Sequence, residues 1–311
     1  MKKTIRIIQS IIDGSFNSRI KKNILSWLGI ERHEEEIRTL HYFLTLFHDA
    51  KDIPPAKDQD LRLLQQCDAV LLSIFSKICE RNGLCYWLDY GTLLGAYRHG
   101  GFIPWDNDTD VVMPRNDYDR LEDTISEELS LYGLTLENMN GRYVLSYNLN
   151  ETGIFTDIFC MEEFVTSENI YTAIETTKKK RAELSKKINK MLFYDYKKYC
   201  RIRDEIFAPD PLGTTKIFYH AISPGAEPDI YDSRDVVPLS KMSFEGYQLN
   251  VPNNIEKCLR TCYGDTFMEL PKIGPESHLS SNIPLKNIAK YNGVDMNAVY
   301  LKLSEINQTI I

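Results

Sequence analysis

Residues 90–114, YGTLLGAYRHGGFIPWDNDTDVVMP, decide the fold that we expect for this chain, because they join the start of a helix to an acidic strand. An apolar run that ends at Leu88 gives way at Gly91 and Thr92 to a helical pattern. Backbone N–H groups at the start of a helix bind anions, so this turn predicts a phosphate-binding site. Thr92 also fits a plain helix N-cap, and both interpretations share one geometry.

Asp108 and Asp110 follow this turn and lead into the β-branched pair Val111-Val112. Side chains two apart in a strand share a face, so we expect both carboxylates to point the same way. Such a pair suits a magnesium ion that bridges substrate phosphates, although an isolated Asp-x-Asp is more often only an acidic turn. Asp106, Asp108 and Asp110 also resemble the start of a calcium-binding EF-hand loop. Val111 stands where that loop needs glycine, which excludes it.

The segment DYGTLLGAYRHGGFIPWDNDTDV resembles the signature of the LicD family, a branch of the nucleotidyltransferase superfamily that includes the fukutin-like proteins. IFTDIF around Asp157, FEGYQLNVP and CYGDTFMELP resemble further motifs of this family, so the similarity covers about residues 55–280. Asn107 and Thr109 depart from the usual WDDDID form. The resemblance implies transfer of a phospho-alcohol, typically phosphocholine, from a CDP-linked donor to a sugar of a surface glycan.

The resemblance also implies that Asp108, Asp110 and Asp157 are the catalytic carboxylates and that they bind Mg²⁺, with Mn²⁺ as a substitute. Asp157 lies between phenylalanines in an apolar strand, where an unpaired acid is costly, and this gives a physical reason for a functional role. Asp157 is also the expected acceptor of the attacking hydroxyl's proton. Asp106 is either a further metal ligand or an outer residue of the site.

Donor binding is expected at the turn and along the helix after it. The donor-binding residues implied are Asp89, Gly91, Thr92, Arg98, His99 and Trp105. For Arg98 and His99, the alternative is a surface pair with no role. If the donor carries choline, its quaternary ammonium favours an aromatic cage. The nearby aromatic residues are Tyr86, Trp87, Tyr90, Tyr97 and Trp105, and most of them are expected to belong to the core.

Periodicity predicts the α+β class, with a mixed β-sheet flanked by helices and not a doubly wound parallel sheet. The resemblance implies that this sheet is the nucleotidyltransferase-like core. The predicted order has helices at 58–82, 90–99 and 116–129 and strands at 85–88, 109–113, 134–137, 143–149 and 154–160. The predicted organisation is a helical N-terminal extension at 1–54, a catalytic core at 55–165 and a mostly helical region at 166–311. This last region is expected to contain a long helical stretch at 168–207, a surface loop at 213–238 and a β-hairpin at 241–251.

Composition places the 311-residue chain among ordinary globular proteins, with 43% hydrophobic and 26% charged residues. Seven cysteines are an odd number and lack CxxC spacing, which favours a reducing compartment over a disulfide framework. No apolar run approaches the roughly 20 residues of a membrane span, and the start MKKTIRIIQSIIDG lacks a cleavage site. We therefore expect a cytoplasmic protein, or one on the inner face of the plasma membrane.

The net charge of −7 is unevenly distributed, because residues 1–22 and 178–203 are strongly basic. The second segment contains eleven Lys and Arg residues against Glu183 and Asp195. Basic segments on an acidic body favour particular anionic partners, such as an anionic membrane or a lipid-linked glycan, over nucleic acid. A solvated helix face is the default interpretation of such a run.

The resemblance thus implies a metal-dependent phosphotransferase that takes a phospho-alcohol from a CDP-alcohol, releases CMP by in-line displacement and modifies a capsule, lipopolysaccharide or teichoic acid. Two alternatives remain open. One is a nucleotidyltransferase that acts on a small molecule and releases pyrophosphate. The other is a catalytically silent scaffold of a glycan-assembly complex, and metal-dependent donor binding would argue against it.

Overall fold

The computed structural model of the chain describes residues 55–56, 58–139, 141–188, 195–221, 229–269 and 292–310. These residues belong to one unit, which begins at Pro54. The helical extension predicted for residues 1–54 lies outside the described residues. None of the helices described is both long enough and apolar enough to cross a membrane.

Helices and strands alternate irregularly along the described chain, and the α+β prediction is confirmed. The helices are α1 Gln59–Arg81, α2 Tyr90–His99, α3 Arg115–Leu131, α4 Leu149–Thr152, α5 Ile170–Ile188, α6 Tyr196–Ile206, α7 Ser233–Val236, α8 Ile255–Tyr263 and α9 Met296–Thr309. The strands are β1 Trp87–Leu88, β2 Thr109–Pro114, β3 Thr135–Met139, β4 Arg142–Tyr147, β5 Ile154–Thr166, β6 Thr215–Tyr219, β7 Ile230–Asp232, β8 Ser240–Phe244 and β9 Tyr247–Val251. The predicted hairpin is the β8–β9 pair, in which Phe244 and Tyr247 face each other.

Helix α1 begins where the side chain of Asp58 accepts hydrogen bonds from the N–H groups of Asp60 and Leu61. Its apolar residues recur with helical spacing and are buried in the main core of the protein. The helix ends at Arg81 with Asn82 as its C-cap, and Gly83 then adopts a φ of +60°, which glycine tolerates at no steric cost. The sequence pattern therefore fixed both ends of this helix.

The main sheet is mixed, in the order β1-β2-β5-β4-β3, with β2 and β5 parallel and the other neighbours antiparallel. Strand β5 is 13 residues long. Its first half pairs with β2 and β4. Its second half pairs with β6, and β6 in turn pairs with β7.

The surface loop predicted for residues 213–238 is wrong, because this segment supplies β6, β7 and α7. Ile217 and Tyr219 are fully buried in β6. The two strands are only five and three residues long, and the glycines and prolines around them hid the signal. The sheet therefore extends beyond the strands that the sequence predicted.

The tip of the β8–β9 hairpin holds the turn that follows α2. Glu245 N–H donates to Gly100 O at 2.9 Å, and Glu245 Oε1 accepts from Phe102 N–H at 3.1 Å. Both carboxylate oxygens also accept from the Arg62 guanidinium, at 2.9 and 2.6 Å. A Cβ atom at Gly101 would lie 2.2 Å from Glu245 Oε1, so a larger residue there would displace the Glu245 side chain. This contact fixes the segment that leads into the acidic strand.

Candidate active site

Helix α2 and strand β2 are joined at Asp110 by two hydrogen bonds. Asp110 N–H donates to Thr92 Oγ1 at 2.8 Å, and Asp89 N–H donates to Asp110 O at 3.2 Å. The structure thus brings together the Gly-Thr turn and the acidic strand, as the sequence predicts. Thr92 is not the N-cap of α2, because Asp89 occupies that position. The Thr92 hydroxyl instead ties the start of the helix to the backbone of Asp110.

Asp110 and Asp157 are neighbours across the parallel pair β2–β5. Residues in register on adjacent strands are about 4.8 Å apart and point to the same face of the sheet. Strand β2 begins at Thr109, as predicted, and Asp108 directly precedes it, so the shared direction of the Asp108 and Asp110 side chains stays a prediction. Strand pairing therefore decides which carboxylates lie side by side.

The acidic residues of this site raise one another's pKa values. Burial is the main reason why the pKa of Asp110 lies well above its usual value, and the charges of Asp108 and Asp157 add to the effect. Burial likewise raises the pKa of Asp106, with Asp108 as the next cause. Burial raises the pKa of Asp157 to about 6, although the nearby Arg142 lowers it. A bound cation would oppose this effect, because it favours the ionised form of each carboxyl group.

The carboxylates fit a divalent cation by their chemistry. Asp157 is 4% exposed, and its Oδ1 is buried without a hydrogen-bond partner in the described part of the chain, while Arg142 Nη1 donates to Oδ2. Mg²⁺ takes such oxygen ligands in proteins. Among the described residues, no three His, Cys, Asp or Glu side chains already converge as a set of metal ligands. Side-chain rotations of Asp108, Asp110 and Asp157 would therefore have to complete a metal site.

Asp106 lies against the start of α2. A Cβ atom at Gly91 would be 2.7 Å from Asp106 Oδ2, so the absence of a side chain at Gly91 leaves room for this carboxylate. The loop before it is held by α1, because Gln65 Nε2 donates to Asp106 O at 2.8 Å. The structure thus brings Asp106 to the same site, in keeping with either predicted role.

The other predicted donor-binding residues lie further from this point. Arg98 and His99 are at the far end of α2, about 10 Å along the helix axis from Gly91. The guanidinium of Arg98 is buried and donates to the carbonyl of Phe267 at 3.1 Å. Trp105 is half-buried and packs on the main core. Their roles in donor binding stay predictions, and the carbonyl contact gives Arg98 a structural role.

The aromatic residues considered for a choline cage divide into two groups. Tyr86 and Trp87 are 0% and 2% exposed and belong to the core, as expected for most of the set. Tyr97 is 37% exposed and contacts Phe267. Tyr90 is half-buried and lies against the rings of Phe159 and His220, at centroid distances of 5.4 and 5.2 Å.

Sequence reasoning missed two residues at this site. Arg142 begins β4 and forms an ion pair with Asp157 diagonally across the strands, because Asp157 is in register with Val144, two residues further along β4. His220 follows β6, is 1% exposed and places Nε2 3.0 Å from Asp89 Oδ2. Arg142 carries no local signal, and His220 lies in the segment that was wrongly predicted as a loop. A histidine directly after the apolar run IFY was the one signal that pointed to a buried position.

Comparisons with known proteins agree with the family resemblance of the sequence. Residues 83–193 match the model of the LicD/FKTN/FKRP nucleotidyltransferase domain. A segment of 58 residues is 50% identical to the lipopolysaccharide cholinephosphotransferase LicD of Haemophilus influenzae and covers 19% of this chain and 22% of that protein. A protein of Rickettsia prowazekii described only as uncharacterized is 28% identical over 69% of this chain and 71% of its own length. The human ribitol 5-phosphate transferase FKRP is 56% identical over 34 residues, 11% of this chain and 7% of that protein.

Proposed function

We propose, from the premise that residues 83–193 belong to the LicD family, that the chain is a phosphotransferase that moves a phospho-alcohol to a glycan. The donor is a CDP-alcohol, with phosphocholine as the first choice for the transferred group, and the acceptor is a sugar hydroxyl of a surface polysaccharide or glycolipid. The matched cholinephosphotransferase and ribitol 5-phosphate transferase support this substrate class. The match covers only 22% of the length of the first of these proteins, so the activity rests on the site as well.

One observation carries the proposal: Asp110 lies in register with Asp157 on β5 and is tied through its own backbone to Asp89 and Thr92 at the start of α2. A phosphate bound at the N-terminus of α2 would therefore lie beside two carboxylates. Mg²⁺, or Mn²⁺, held by Asp108, Asp110 and Asp157 would neutralise charge on the phosphates when bound, with Asp106 as a further ligand. This combination suits transfer at phosphorus and has no evident use in a passive scaffold.

The chain's own residues have distinct tasks in the proposed reaction. N–H groups at the start of α2, around Gly91 and Thr92, orient the donor's phosphates. Asp157 Oδ1 accepts the proton of the acceptor hydroxyl, because it has no other hydrogen-bond partner in the described chain. Arg142 keeps the pKa of Asp157 from rising further, which favours the ionised, proton-accepting form. An O–P bond to the sugar forms, the P–O bond to CMP breaks, and CMP leaves.

The test is a calorimetric titration with CDP-choline, CDP-ribitol, CDP-glycerol, CTP and ATP, with and without magnesium, on the native chain and on Asp110→Asn. Asp123→Asn is the matched control, since Asp123 is an exposed aspartate on α3. We expect magnesium-dependent binding of one CDP-alcohol, lost only in Asp110→Asn, with CMP released when an acceptor glycan is added. Failure of every nucleotide to bind would refute the proposal in favour of a silent scaffold.

The family model names a nucleotidyltransferase domain, and this favours one second candidate, transfer of a nucleotide to a small molecule. The same titration separates the two. Binding of CTP or ATP alone, with release of pyrophosphate, would support nucleotidyl transfer. Release of CMP from a CDP-alcohol would support phosphotransfer.

We also propose that the protein works in the cytoplasm, at the inner face of the membrane, and that the basic helix α5 meets an anionic lipid or a lipid-linked glycan. Lys178, Lys179 and Lys187 are exposed, which supports this role, although Lys178 and Lys187 pair with Glu175 and Glu183. Lys180 does not belong to this face. Its ammonium donates to Ile206 O and lies 5.2 Å from the ring centroid of Phe164.

A further inference from the structure

His220 and Asp89 form a buried pair at the start of α2. His220 Nε2 lies 3.0 Å from Asp89 Oδ2, and the two residues are 1% and 3% exposed. With Asp89 ionised, Nε2–H donates to this oxygen. Nδ1 on the other side of the ring is buried and has no hydrogen-bond partner in the described part of the chain. The histidine thus presents its one satisfied nitrogen to Asp89.

Asp89 does not perform the task that its position predicts. It is the N-cap residue of α2, and an aspartate at an N-cap normally accepts a hydrogen bond from the second or third N–H of the helix. Its side chain makes no such bond, because the carboxylate is directed to His220. The N–H groups at the start of α2 are therefore not satisfied by their own cap.

The turn itself does not need the Asp89 side chain. The backbone of Asp89 is fixed by its N–H bond to Asp110 O, and its own carbonyl accepts from Leu93 N–H at 3.0 Å. Tyr90 has a φ of +46°, which is unfavourable for a side-chain-bearing residue and persists where its surroundings enforce it. The Tyr90 ring packs on His220 and on Phe159, two residues along β5 from Asp157. His220 therefore supports this turn from the side of β6.

We propose that His220 is a positioning residue that holds the Asp89 carboxylate away from the N-terminus of α2. It thereby keeps the phosphate-binding N–H groups open for an anionic ligand of the diphosphate class. The inference rests on the proposed function in one respect, namely that the ligand bound there is the pyrophosphate group of the donor. Without His220, the carboxylate turns into the cap position and competes with that group.

The experiment compares the native chain with His220→Ala, His220→Gln, Asp89→Ala and the double variant Asp89→Ala/His220→Ala. Calorimetry measures the binding of inorganic pyrophosphate and of CDP in the presence of magnesium, and thermal unfolding checks that each variant is folded. His220→Ala is expected to weaken binding about five-fold, the factor that corresponds to an N-cap bond of about 1 kcal/mol. His220→Gln is expected to bind like the native chain, because its amide nitrogen reaches Asp89 in place of Nε2.

The double variant separates positioning from a merely structural role. Removal of the competing Asp89 carboxylate in the double variant is expected to restore the binding that His220→Ala loses. The double variant is expected to be no more stable than His220→Ala. The inference is overturned if His220→Ala binds as tightly as the native chain, or if the double variant binds as weakly as His220→Ala. Should the binding pattern hold while no CDP-alcohol supports transfer, the proposed function fails and the positioning role stands. A native chain that binds neither probe overturns both.

Discussion

Asp157→Asn is expected to stabilise the metal-free fold at neutral and alkaline pH, although it removes a carboxylate of the site. Burial raises the pKa of Asp157 from 3.8 to about 6, against the opposing charge of Arg142. A carboxyl whose pKa is higher in the folded than in the unfolded state binds protons more readily when folded. Stability therefore falls as the pH rises from about 4 to about 6, and above pH 6 the fold carries a buried charge that asparagine lacks.

The size of the effect follows from the shift of this pKa. At about 1.36 kcal/mol per unit, the change from 3.8 to about 6 corresponds to about 3 kcal/mol of unfolding free energy. Asp157 is only 4% exposed, so solvent screening reduces this little. The stabilisation is expected to reach about 3 kcal/mol at pH 8, roughly 6–12 °C in melting temperature, and about half of that free energy at pH 5.

The assay is urea unfolding followed by circular dichroism in EDTA at pH 5 and pH 8, on the native chain and on Asp157→Asn. The exposed Asp123→Asn is the control for loss of one negative charge and is expected to change little. Magnesium is then expected to stabilise the native chain at pH 8 more than the variant. An equal gain at the two pH values, or a loss at pH 8, would refute the reasoning that a buried carboxylate strains this fold.

Three further predictions concern the start of the site, its support and the basic surface. Thr92→Val is expected to cost about 1–3 kcal/mol of unfolding free energy, because it leaves Asp110 N–H unpaired, and Thr92→Ser is expected to cost much less in the same urea titration. Gly95→Ala is expected to lower the melting temperature, because the new Cβ would lie 2.5 Å from Gly101 O. The clash costs about 1–3 kcal/mol and outweighs the gain of about 1 kcal/mol in helix propensity. A higher melting temperature would contradict this. Replacement of Lys178, Lys179 and Lys187 on α5 by Glu is expected to abolish binding to vesicles that contain anionic phospholipid. The control Lys302→Glu on α9 is expected to leave this binding unchanged.

Elements with a local signal were predicted well. The period of apolar residues in α1, the β-branched run of β2 and the Glu245-Gly246 turn each specify a structure over a few neighbouring residues. Strands β6 and β7 were missed, because short strands gain their stability from distant partners. The default interpretation of residues 178–203 as a solvated face does not hold for Lys180 for a related reason, since its contacts are to α6 and β5.

The carboxylates of the site show the same difference between what a local sequence pattern indicates and what depends on distant parts of the chain. Their identity and their family resemblance were available from residues 106–110 and from Asp157 alone. The sequence placed Asp108 and Asp110 side by side, whereas strand pairing sets Asp110 beside Asp157. The pairing of Asp157 with Arg142 follows from the register of β4 on β5, which no local pattern encodes.

The sequence by itself determined the class of fold, the helix start at Gly91 and the acidic strand that follows it, because these depend on periodicity and on residue type over short spans. Only the tertiary structure decided that Asp89 turns away from its own helix to His220, a residue 131 positions further along the chain. A hydrogen bond between buried groups forms only when the fold has removed both from water and set them at the right distance. Contacts of that kind decide the shape of the site, and they are a property of the packed chain.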